Sequence, residues 1–163
     1  MLTAYTRTNG TLTKVSVNQY SDLSPEMVWL DLLNPTEQER QWIKQAYGQI
    51  LQLMEELGEI EASARCYHDE YGLHLNQYFL LSDNNVTRNV NVAFTLNNNK
   101  LFTLRSEDLP AFGAFYSQAA KNPEYCCGPV EILLGIVATR IGMMADLYEK
   151  LQADLEPISL SVF

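Results

Sequence analysis

The pattern of apolar and polar positions changes period several times along the chain, and each change marks an element. Residues 2–7 (LTAYTR) and 11–17 (TLTKVSV) are short β-type runs on either side of Asn9-Gly10. Asn-Gly between two such runs is the strongest short-range signal for a hairpin. Residues 28–32 (VWLDL) give a third strand. Asn34-Pro35 then predicts a helix start: Asn34 caps the free amides, Pro35 suits the first helical position, and Glu37 and Glu39 favour the dipole. Trp42, Ile43 and Ala46 form the apolar stripe of that helix, and Gly48 stops it. A second helical piece covers 50–57 and ends at Gly58.

The middle of the chain alternates more rapidly. EIEASA (59–64) reads as a helix start, 65–68 as a strand, Tyr71-Gly72 as a turn and 73–81 as a mostly apolar strand. A polar loop is expected over 82–89, followed by strands at 90–96 and 101–105 joined by a turn at 97–99. Ser106 or Asp108 caps a further helix running to about Ala120, which Asn122-Pro123 breaks. From Pro129 onward, Val130, Leu134, Val137, Ile141, Met144, Tyr148, Leu151 and Leu155 recur in alternating steps of four and three. That heptad predicts one long helix over about 129–156, with Leu134, Val137, Ile141 and Met144 buried along its length. Pro157 should perturb it.

About seven strands, several in hairpins, cannot all be parallel. The expected fold is therefore α/β: a mixed parallel and antiparallel sheet of about seven strands with helices on both faces (an α/β/α sandwich), ending in a long helix. A chain of 163 residues with 47% apolar content suits one packed domain. Its longest apolar windows, 73–81 and 129–138, fall short of the roughly 20 residues that span a bilayer. The start MLTAYTRTNG has no apolar core of a signal peptide. The chain thus reads as soluble.

Charge narrows the function. A net charge of −9 argues against nucleic acid, whose phosphates call for clustered Lys and Arg. The three cysteines, Cys66, Cys126 and Cys127, are odd in number and two are adjacent, which fits a reduced cytoplasmic setting. Cys66, His68 and His74 bring ligand-type side chains close in sequence, but no CxxC or HxxxH spacing completes a zinc set. No GxSxG, GxxxxGK[ST] or GxGxxG occurs. The acid pairs Glu55-Glu56, Asp69-Glu70 and Glu107-Asp108 sit in polar, local settings that do not separate carboxyl pKa values. An enzyme is not expected.

Several blocks together resemble the N-terminal cytoplasmic domain of the CorA family of magnesium and cobalt transporters, in the form found in Gram-negative bacteria. They are EIEASAR (59–65), YGLHL (71–75), VAFTL (92–96), LFTLR (101–105) and LPAF (109–112), with MLTAYTRTNGTLTKVSV, VWLDLLNPTEQER and DLEPIS in register around them. The resemblance spans the chain and implies a single domain over 1–163, on the cytoplasmic face of a bacterial inner membrane. It also implies a homopentameric channel for divalent cations (Mg²⁺, Co²⁺), whose stalk and two C-terminal transmembrane helices are not in this sequence. Mg²⁺ would be both the transported ion and a regulatory ligand held between subunits, the acidic domains loosening when internal Mg²⁺ falls. By the same resemblance, an acidic pair ahead of Ile60 helps hold the regulatory Mg²⁺. The pair falls on Gly58 and Glu59, so only Glu59 keeps a carboxylate. Without the missing helices, the 163-residue chain is expected to be monomeric or weakly associated. Two alternatives are a zinc-transporting member of the same superfamily and a stand-alone soluble binding or adaptor domain.

Overall fold

A computed structural model describes residues 1–52, 65–83, 86–125 and 128–162, with side chains through 157. Seven strands form one sheet: β1 (Leu2–Thr8), β2 (Thr11–Val17), β3 (Met27–Leu33), β4 (Cys66–Asp69), β5 (Gly72–Asp83), β6 (Val86–Asn97) and β7 (Lys100–Arg105). Their order is β2-β1-β3-β7-β6-β5-β4. β3 and β7 run parallel at the centre, and every other neighbouring pair is antiparallel. Among the described residues three α-helices accompany the sheet: α1 (Glu37–Tyr47), α2 (Pro110–Ala119) and α3 (Pro129–Val162).

The two-residue period of the strands builds two cores. Trp29, Val92, Phe94 and Leu101 point to one face, where α2 and the first turns of α3 cover them with Phe112, Phe115, Ile132 and Ile136. Leu30, Leu32, Ala93, Phe102 and Leu104 point to the other, where Ile43, Trp42 and Tyr47 of α1 close over them. The sheet is thus mixed, covered on both faces and followed by a long helix, as the sequence pattern predicts.

Local chemistry explains the turns. Asn9 (φ 52°) and Gly10 (φ 83°) take the left-handed conformations that a tight hairpin between β1 and β2 demands. At Gly72 (φ 121°) a side chain would run into the Leu96 carbonyl of β6, so only glycine admits the close approach. Gly48 ends α1 in the left-handed region (φ 67°), its N–H donating to the Lys44 carbonyl.

Several expectations are corrected. Asn34 does not cap α1. Thr36 does, its hydroxyl accepting from Glu39 N–H while the Glu39 carboxylate accepts from Thr36 N–H. Asn34 instead adopts φ 42° and donates its side-chain amide to the Ser106 carbonyl at 2.6 Å. Neither Ser106 nor Asp108 caps α2: Leu109 occupies that position without a side-chain bond, and Pro110 opens the helix. The polar stretch 82–89 is largely strand, because β5 runs to Asp83 and β6 starts at Val86. Ser82 and Asp83 pair with Thr87 and Val86 in the antiparallel ladder, and the described side chains of the stretch are exposed to solvent. Residues 50–52 are not helical, and the rest of that piece (53–57), like EIEASA, lies outside the described residues.

The largest correction concerns α3. Its buried face carries Ile132, Leu133 and Ile136, not the heptad stripe. Leu134 (60%), Ile141 (57%), Met144 (38%), Tyr148 (69%), Leu151 (52%) and Leu155 (60%) are exposed, and Val137 is half-buried. Beyond the first turns Arg140 still reaches Gln77 and the Phe79 ring of β5, and past Leu147 every described side chain of the helix is exposed. Pro157 lies inside the helix, which continues to Val162.

Candidate functional site

The acid singled out by sequence, Glu59, and its neighbour Gly58 lie outside the described residues. Their donor chemistry is one carboxylate and one residue without a side chain. Mg²⁺ takes one or two carboxylates plus retained waters or further oxygens. Among the described residues, no three His, Cys, Asp or Glu side chains converge to supply the remainder. This donor set does not by itself fit a Mg²⁺ site.

The Cys66, His68 and His74 trio is split by strand register. Directly paired residues share a face, and His74 pairs with Tyr67, whereas Cys66 pairs with Leu75 and His68 with Leu73. Cys66 and His68 are exposed on one face. His74 is buried on the other, where its Nε2 meets Asp69 Oδ1 at 2.8 Å and its Nδ1 meets Thr95 Oγ1 at 3.0 Å. The Tyr67 ring stacks on it at 4.6 Å, and Gln52 Nε2 donates to the Tyr67 hydroxyl. The hydrogen bond from His74 holds the exposed Asp69 carboxyl below its ordinary value, with lesser help from the Tyr71 N–H. This cluster ties the edge hairpin together and leaves no open ligand position on the histidine.

The acid pairs also resolve into separate contacts. Glu107 meets Arg88 at 2.8 Å and Asp108 meets Arg105 at 3.1 Å. Glu55 and Glu56 lie outside the described residues.

The most constrained polar group is one that sequence reasoning missed. Asp31 on β3 and Arg105 on β7, both nearly inaccessible, form a two-pronged ion pair: Arg105 Nη2 to Asp31 Oδ2 at 2.8 Å and Nε to Oδ1 at 3.1 Å. Thr103 Oγ1 donates to Asp31 Oδ1 at 2.7 Å and accepts from Trp29 Nε1 at 3.0 Å. The other guanidinium nitrogen reaches the Glu107 carbonyl at 2.7 Å and Asp108, while Phe112 lies 4.5 Å beneath the guanidinium carbon. Burial, the largest influence, works to lower the pKa of Arg105; its bonds and charge attraction to Asp31 and Asp108 outweigh it and raise the pKa. Tyr5, stacked on Trp29 at 4.0 Å, is pushed far up, chiefly by burial. A single acid inside VWLDL and a single base ending LFTLR were the available signals. Their pairing required knowing that the two strands are adjacent and parallel. In open α/β sheets the carboxyl ends of parallel strands often hold ligands. Here the ion pair and the β7–α2 turn fill that position.

A seven-stranded mixed sheet covered on both faces and followed by a long helix is a fold that this chain shares with known structures. Three solved structures carry it at 16% identity, which speaks to fold. The CorA magnesium transporter of Methanocaldococcus jannaschii aligns with TM-score 0.74 over 99% of this chain and 50% of its own. The soluble domain of CorA from the same organism aligns with TM-score 0.68 over 99% and 64%, and the full-length CmaX protein with 0.73 over 98% and 50%. The family model described as CorA-like Mg²⁺ transporter protein matches residues 24–162, and the chain belongs to that family. Magnesium transport protein CorA of Haemophilus influenzae is 39% identical over 98% of the chain, and that of Escherichia coli strain K12 is 37% identical over the same share. The chain spans about half the length of these relatives.

Proposed function

We propose that this chain acts as the cytoplasmic domain of a CorA-type system moving Mg²⁺, and with it Co²⁺, across a bacterial inner membrane. The observation that carries the reading is the family match over residues 24–162, together with 39% identity to a magnesium transport protein over nearly the whole chain. The domain's part is regulatory. Copies arranged in a pentamer respond to internal Mg²⁺, because a ligand shifts an assembly only as far as it binds one arrangement better than another. The net charge of −9 supplies the opposing force: without bound cations, neighbouring acidic domains repel.

Glu59 is the carboxylate offered to the regulatory cation. With glycine at position 58, the chain supplies one acid where the family resemblance implies two, so binding by a single copy is weak and a neighbouring copy must add oxygens. The coding sequence that follows codon 163 tests the reading directly. Two apolar segments of about 20 residues, the second preceded by Gly-Met-Asn, are expected. A stop codon directly after Phe163 would contradict the transport role and leave a free-standing domain.

A further inference from the structure

We draw no further inference here: the strongest candidate, the side-chain cluster of Gln52, Tyr67, His74 and Asp69 at the β4 edge of the sheet, is already accounted for as the tie of the edge hairpin, and any part in placing Glu59 would rest on residues 53–64, which lie outside the described residues.

Discussion

Replacing Asp31 with alanine removes the one carboxylate that neutralises Arg105 inside the sheet, and the cost can be worked from the contacts. Two guanidinium bonds at 2.8 and 3.1 Å and the Thr103 hydroxyl bond at 2.7 Å are lost, while Arg105 stays about 96% buried. Breaking a buried pair by deleting one partner costs about 3–5 kcal/mol, because the surviving charge remains desolvated. Asp108 is exposed and cannot take over, since its 3.1 Å contact sits on the outer nitrogen of the guanidinium. For a domain of this size, each kcal/mol moves Tm by about 2–4 °C, so Asp31→Ala should melt roughly 6–20 °C lower. Asp31→Leu combined with Arg105→Met removes both charges, and such replacements are often neutral or stabilising. Here the Thr103 hydroxyl loses its acceptor, so recovery should be large but incomplete. Urea unfolding followed by circular dichroism would give both values, and unchanged m-values would show that the native state is being compared like for like. A loss below about 1 kcal/mol for Asp31→Ala, or a double replacement worse than the single, would refute the view that the ion pair is a desolvated, matched unit.

Three further outcomes are expected. Gly135→Ala would drive a methyl into the Phe115 ring where α3 crosses α2, and should cost about 1–3 kcal/mol in chemical denaturation. Asp69 titrates below the ordinary aspartate value of about 3.9, so it stabilises the fold above that pH and loses the contribution as pH falls through its depressed value. NMR titration should show its midpoint rising in His74→Gln. Magnesium at millimolar concentration should shift the melting temperature of the chain only slightly, and Glu59→Ala should melt identically, because a single carboxylate gives little affinity and stabilisation follows mass action. A large shift abolished by that substitution would show that one copy already holds a competent site.

Elements whose signals were local were legible in the sequence. Asn9-Gly10 and Gly48 act through backbone conformations that belong to the residues themselves, and each stands where the pattern put it. Competition between neighbouring signals was harder to read. Asn34-Pro35 and Thr36-x-x-Glu39 both announce a helix start, and the capping box prevailed because it satisfies two backbone amides while Asn34 is drawn to Ser106. The strand content of 82–89 was hidden because a hairpin wet on both faces carries no apolar alternation. For α3, the heptad gave the helix but not its orientation. Two apolar faces compete there, and Ile132, Leu133 and Ile136 took the core because the first turns of α3 lie against it. The Asp31–Arg105 pair depends on parallel contact between strands over seventy residues apart, and local spacing does not report such contacts.

The transport reading is tested most directly by joining residues 1–162 to the remaining half of Haemophilus influenzae CorA and measuring Mg²⁺ uptake in bacteria that lack their own magnesium transport. The account predicts that the chimera inserts, restores growth at low external Mg²⁺ and takes up Mg²⁺ in preference to Zn²⁺, with uptake falling as internal Mg²⁺ rises. A chimera that reaches the membrane in normal amounts yet carries no Mg²⁺, or carries Zn²⁺ in its place, would contradict it.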